Sequence, residues 1–433
     1  MFAKAMPAGA QGSDHGKVLA SGVHQSGLAP LDELMDNFVK AQRVPGAALA
    51  VTRDSRLVYA RGFGTADRER QHAVQPTDLF RIASVSKAIT AVAVLQLIER
   101  ARLSIGAKVW EVLDLPKPSD ARWTQITILH LLRHTGGWDD EIFSPMFQSA
   151  LIAKTLNEPL PIGHEHIIRF MLGRPLQFDP GSRFAYSNFG YCLLGRVVER
   201  ITSISYDRYV QQEILAPLGI RRMRLGKTPR SERTPTEGVY HDDKNRTASA
   251  VVGTIGESVP LPYGAWSLEV MDANGGWLAS AVDLVRFASA FDSPASCPIL
   301  HSNSIALMYA RPEGEAGVEV DGNYSGCGWF VWPEDRHKHR AYTSSNGLVA
   351  GTSSYLMRRR DGINWAVLFN AANGPDGKPL MISFRDLSSS AFDKIQTWPK
   401  SDQFSKMLSA METPSKPLRP TLGSGATSRP SAE

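Results

Sequence analysis

Ser84 and Lys87 stand three residues apart at the head of the apolar run 88–98. On a helix that spacing puts both side chains on one face, about one turn apart. A serine at a helix N-terminus lies among unpaired backbone N–H groups and the positive end of the macrodipole, a setting that suits an oxyanion. A lysine buried beside it is pushed towards neutrality and can take the hydroxyl proton. The same two residues also fit an ordinary N-cap followed by a solvated lysine, because a serine and a lysine at this spacing form a short and common pattern. Further along, Tyr186 and Asn188 follow a Pro180-Gly181 turn and precede the apolar run 191–201. Alternate residues on a loop can point into one cleft, so the phenol and the amide can share a site. A core tyrosine with a turn asparagine is the competing reading. His134, in Arg133-His134-Thr135-Gly136-Gly137-Trp138, reads as a histidine packed in a glycine turn rather than a catalytic one.

These residues need elements to hold them. Residues 88–98 are long and apolar enough for a buried helix. Before them, 31–41 has helical spacing, Pro45-Gly46 breaks it, and 47–52 and 57–62 alternate like two strands joined by a polar turn. A short apolar helix is expected over 127–132, and a loop-rich cap over 138–162. Residues 228–262 read as a polar excursion, 281–291 as an amphipathic helix led by Asp283, and 327–332, 353–358 and 363–370 as strands. A closing helix is expected over 384–398. Helix, hairpin, helices and a return to strands give an α+β fold whose sheet is completed late in the chain. The domain reading is a disordered lead-in over 1–28, one folded unit over 29–398 with its sheet part at about 29–75 and 320–398, and a disordered tail over 399–433.

Composition narrows the function. With 433 residues, 42% of them hydrophobic, the chain can bury a large core. The net charge of +5 is spread along it. The basic clusters at 221–222, 336–340 and 358–360 lack interleaved aromatics, so they read as solvated charge and no nucleic-acid partner is expected. Cys192, Cys297 and Cys327 are too few and too scattered for a disulfide framework or a zinc site. No apolar run is long enough for a membrane span. Residues 1–27 lack the apolar core of a secretory signal, which favours a cytoplasmic over a periplasmic location. Phosphate-loop, zinc-protease and nucleophile-elbow motifs are absent from the sequence.

The order Ser84-x-x-Lys87, Tyr186-x-Asn188 and Ser345-Asn346-Gly347 resembles the serine β-lactamase and penicillin-binding-protein superfamily. Within it the chain is similar to the class C β-lactamase-related group, which includes family VIII carboxylesterases and D-amino-acid peptidases. The resemblance spans about Leu31 to Ile395 and includes Leu131–Gly137 and the Asn274-Gly275-Gly276 turn. It implies a β-lactamase/transpeptidase-like fold, in which an antiparallel sheet flanked by terminal helices packs on an all-helical region with the site at their junction. It implies Ser84 as acylated nucleophile, Lys87 as its base and Tyr186 as proton shuttle. Asn188 would orient Lys87 or the substrate, and the N–H groups of Ser84 and Leu348, the residue after Gly347 on an edge strand, would form the oxyanion hole. No metal or organic cofactor is implied.

Ser345 departs from the usual Lys, His or Trp of the third motif. Losing a cation there removes a charge-assisted hydrogen bond to a substrate carboxylate, about 1.5–3 kcal/mol. That favours small neutral carboxylic esters over β-lactams or peptide C-termini, with His339 or Arg340 as neighbouring cations able to replace it. A β-lactamase or a D-aminopeptidase- or DD-peptidase-like amide hydrolase is the alternative within this chemistry. A catalytically silent binding protein with the same fold is the alternative outside it.

Overall fold

The structure, a computed structural model, describes residues 17–314, 316–318, 322–333 and 342–407. His339, Arg340 and the basic cluster around them lie outside the described residues, as do 1–16 of the lead-in and the tail from 408. The strands β1 (Ala20–Gly22), β2 (Gly46–Arg53), β3 (Arg56–Asp67), β4 (Tyr324–Ser325), β5 (Phe330–Trp332), β6 (Tyr342–Val349), β7 (Thr352–Arg359) and β8 (Ile363–Phe369) form an antiparallel sheet. Their spatial order is β1-β3-β2-β8-β7-β6-β5-β4, so the start and the end of the fold meet where β2 pairs with β8.

Alternation along the strands divides the core. Ala47, Leu49 and Val51 of β2 point to one face, with Trp365, Val367 and Phe369 of β8. There they meet Phe38 of helix α1 (Ala29–Ala41) and Phe384 and Phe392 of helix α5 (Leu380–Asp393). Ala48, Ala50, Ala60 and Ala366 point to the other face. Their small side chains let helix α4 (Ala281–Ser289) lie close to the sheet. Helix α2 (Ser86–Glu99) lies in the same core, buried at every residue from Ser86 to Leu97. A helix covered on all sides needs no polar face, which is why its apolar run is nearly unbroken. Helix α3 (Asn188–Thr202) packs beside it.

Several elements differ from the sequence reading, each for a local reason. The lead-in is not disordered through 28: β1 pairs with β3, and Ser21 Oγ donates to the Val74 carbonyl at 2.5 Å. The tail is not free from 399. Gln403 bonds the backbone of Leu57 and Val58, and Met407 is buried in the core. The cap over 138–162 contains a helix, Ser149–Leu156, whose buried Ile152 and Ala153 give too short a stripe to read as periodic. The polar excursion carries a small hairpin, Thr247–Ser249 with Ser258–Pro260. Arg358 is not solvated: it donates to the Ala288 carbonyl and the Tyr309 hydroxyl and pairs with Asp292, tying β7 to α4.

Two features aim the sheet at α2. The register of β5 on β6 stops at Ser344, so β6 is not an edge strand, yet Ser345–Val349 has no partner strand on that side among the described residues. Gly347 lies against the turn before α2, where an added Cβ would stand 2.2 Å from the Ile82 carbonyl oxygen and 2.5 Å from Ser354 Oγ. Gly347→Ala must therefore push β6 away from that turn. Overpacking of this kind costs about 1–3 kcal/mol. A fall in Tm is expected from thermal unfolding, and an unchanged Tm would contradict the close approach of β6 to that turn.

Candidate active site

Ser84 lies in a 3₁₀ turn, Ala83–Val85, that runs straight into α2. Ala83 is held at φ +43°, a left-handed conformation that costs a non-glycine residue about 1–3 kcal/mol. The surroundings impose it. The Ile82 N–H donates to the Trp277 carbonyl at 3.0 Å, and the Ile82 carbonyl accepts from Ser354 Oγ at 2.8 Å. The turn leaves Ser84 partly accessible between β6 and the helices.

Lys87 is 3% exposed and its ammonium donates three ways: to Ser84 Oγ at 3.1 Å, to Asn188 Oδ1 at 2.7 Å and to the Asn274 carbonyl at 2.7 Å. Burial pushes it down from the ordinary lysine range to about 7, while the negative charge of Asp140 works the other way. Neutral and charged forms of Lys87 are therefore both populated near pH 7. The Tyr186 hydroxyl donates to Ser84 Oγ at 2.5 Å. Burial holds this phenol well above its usual range, the Ser84 hydrogen bond acts against that, and Asp140 adds to it. The resting phenol thus keeps its proton, and Lys87 is the group able to accept one.

Asn188 is the first residue of α3 rather than a loop residue, because Ser187 caps the helix by accepting from the Gly190 N–H. Its Oδ1 meets Lys87 while its Nδ2 donates to Asp140 at 2.6 Å. His134 is packed, as the sequence suggested. Its ring stacks on Tyr186 with centroids 4.7 Å apart, and its Nδ1 accepts from the Ser187 N–H at 3.1 Å. Burial pushes it down to about 3, with the charge of Lys87 adding to the effect.

The third motif splits along β6. Ser345 and Gly347 are buried on the face towards α2, whereas the Leu348 side chain is 40% exposed. Ser84, Lys87, Tyr186 and Asn188 are joined by direct hydrogen bonds, and Gly347 abuts the turn that carries Ser84. Sequence reasoning missed Asp140 and the Asn274 carbonyl. Asp139 and Asp140 follow the glycine turn side by side, and nothing in their spacing says that Asp140 is the one turned inward. The Asn274 carbonyl is a backbone atom and leaves no mark in a side-chain pattern. Among the described residues, no group of three or more His, Cys, Asp or Glu side chains is placed to hold a metal ion, and no helix is long and apolar enough to cross a membrane.

The sequence profile of the Beta-lactamase family matches residues 31–386, most of the chain. The chain belongs to the β-lactamase family. Esterase EstB from Burkholderia gladioli is 29% identical over 381 residues, spanning 83% of this chain and 94% of the relative. The octameric penicillin-binding protein homologue from Pyrococcus abyssi is 25% identical, with a TM-score of 0.64 over 84% of this chain and 77% of that one. The D-amino acid amidase from Ochrobactrum anthropi SV3, at 20% identity, shares the fold with a TM-score of 0.65 over 86% and 99% of the two chains. This member of the β-lactamase family thus has the expected α+β, β-lactamase/transpeptidase-like fold.

The His134 geometry generates a spectroscopic expectation. With Nδ1 accepting from a backbone N–H, the proton sits on Nε2, and a ring held near 3 stays neutral at all ordinary pH values. Nitrogen-15 NMR of the imidazoles should show one Nε2-H ring that does not titrate between pH 5 and 8. A His134 signal titrating near 6.5 would contradict the packed, uncharged ring.

Proposed function

We propose that this chain hydrolyses small neutral carboxylic esters through a covalent acyl-enzyme on Ser84. The observation that carries the proposal is Ser84 Oγ lying between the Lys87 amine at 3.1 Å and the Tyr186 phenol at 2.5 Å. A hydroxyl between a group that can accept its proton and a group that can donate one is arranged for nucleophilic acyl transfer.

In this mechanism neutral Lys87 takes the Ser84 proton as Oγ attacks the ester carbonyl. The tetrahedral oxyanion is held by the N–H groups of Ser84 and Leu348. The carbon–oxygen bond to the alcohol breaks as Tyr186 delivers its proton to the departing alkoxide, and Lys87 returns a proton to Tyr186. Water then attacks the acyl-Ser84 ester, gives its proton back through the same pair, and releases the acid with Ser84 restored. Asn188 keeps Lys87 in place. Gly347 brings β6 close enough to supply its N–H, and Ser345 lines the substrate side of that strand without a charge.

The ester preference is supported by Ser345, which leaves the third motif without a cation for a substrate carboxylate, and by the similarity to an esterase over nearly its whole length. The substrate is accordingly a small molecule. The test is a panel of p-nitrophenyl acetate and butyrate beside the β-lactam nitrocefin. Ester turnover should exceed lactam turnover by about one to two decades, in line with the missing charge-assisted contact. Ser84→Ala should abolish it, and Lys87→Ala and Tyr186→Phe should each lower kcat by at least about two decades. Equal lactam and ester rates would overturn the substrate class, and near-native activity of Ser84→Ala the nucleophile.

The pH profile has a fixed sign. Lys87 acts in its neutral form, so kcat/KM should fall about tenfold per unit below the value near 7 and level off above it. A profile that rises towards acid would contradict the assignment of the base.

A further inference from the structure

We propose that Asp140 is a positioning residue for this reaction: it fixes which end of the Asn188 carboxamide faces Lys87 and supplies the negative field in which Lys87 exchanges its proton. The inference rests on the reading of Lys87 as base. Asp140 Oδ2 accepts from the Asn188 N–H at 3.1 Å, from Asn188 Nδ2 at 2.6 Å and from Ser144 Oγ at 2.9 Å. An ionised carboxylate can only accept, so it takes the NH₂ end of the amide and turns the oxygen away. That oxygen is the atom 2.7 Å from Lys87 Nζ. With the amide reversed, NH₂ would face an ammonium and repel it.

Asp140 is itself held in register with the site. Its backbone N–H donates to the Tyr186 carbonyl at 3.0 Å, so one residue ties down the segment bearing both Tyr186 and Asn188. Its Oδ1 is buried without a hydrogen-bond partner among the described residues. Burial raises this carboxyl above its ordinary range, and the bonds from Asn188 and Ser144 together with the charge of Lys87 draw it back.

The groups facing Lys87 come from four elements. The turn before α2 gives Ser84, and the segment into α3 gives Tyr186, Asn188 and Tyr191. The 272–275 turn gives the Asn274 carbonyl, and the 134–140 loop gives His134 and Asp140. His134 is held neutral and both phenols keep their protons. Asp140 is the anion in this set, so removing its charge withdraws support from the Lys87 ammonium.

The test is the pH dependence of kcat/KM for p-nitrophenyl butyrate in the wild type, Asp140→Asn, Asn188→Ala and the double variant, each with a Tm. Asp140→Asn should lose about tenfold or more at pH 7.5. Its acid limb should move to lower pH by about half a unit or more, since an opposite charge has been taken from a buried amine. In the Asn188→Ala background the same substitution should cost less than about threefold, because its effect runs largely through that amide. A limb that stays in place in folded Asp140→Asn, or full additivity with Asn188→Ala, overturns the proposal, since a structural role would lower rate and Tm without moving the limb. If Asp140→Asn does not fold, Asp140→Ala, which removes the same charge and the same acceptor for Asn188, takes its place. Its limb should likewise move to lower pH, and an unmoved limb there overturns the proposal. A wild-type enzyme with no limb near pH 7 would instead refute Lys87 as base.

Discussion

The arrangement of the site turns on keeping one amine out of water. Lys87 sits on a helix buried along nearly its whole length, with a hydroxyl, an amide oxygen and a backbone carbonyl as its acceptors. Desolvating a cation is expensive, and the protein offsets that with polar groups aimed at Nζ rather than with a direct ion pair. The result is an amine pushed down to about 7, beside the Ser84 hydroxyl that loses its proton in the proposed reaction. Each acceptor comes from a different part of the chain, so the balance exists only when the helical region and the start of α2 are assembled.

The sheet contributes at a distance. Its alternating strands hold α1 and α5 on one face and present small alanines to α4 on the other, which brings β6 and the turn carrying Ser84 together at the junction. Gly347 closes that junction by having no side chain, and Ala83 bears the strained conformation that leaves Ser84 accessible. The strain is tolerable because Ile82 is fixed by hydrogen bonds on both sides. In the proposed reaction this rigidity lets the oxyanion donors stand ready before the substrate arrives.

Much of this was legible in the sequence, and what was not has a physical reason. Ser84 and Lys87 stand out by type and spacing, because helix geometry converts a three-residue interval into a shared face, whereas Tyr186 and Asn188 stand out through the resemblance to the β-lactamase superfamily. The strand pair was read by alternation at 47–52 and 57–62 and extends to 46–53 and 56–67, and the buried α2 follows from the length of its apolar run. The first residue of α3 was placed too late, since the cap at Ser187 acts through one hydroxyl that a hydrophobic pattern does not register. The ordered piece 20–22 was read as disordered because it attaches through backbone bonds to β3 with little apolar content of its own, and 402–407 because its two apolar anchors, Phe404 and Met407, are too few to register as a pattern. Asp140 was invisible for a related reason: which of two adjacent acids turns inward is decided by the loop conformation after Gly137, a property of the assembled site.

The central claim is that Ser84 is the group acylated, activated by a lysine neutral near pH 7. The most direct measurement is intact-protein and peptide mass spectrometry after brief exposure to a fluorophosphonate across pH 5 to 9. The account predicts a single adduct on Ser84, with a labelling rate that climbs to a plateau through about pH 7 and is lost in Lys87→Ala. An adduct at another residue, or Ser84 labelling at the same rate with and without Lys87, would contradict it.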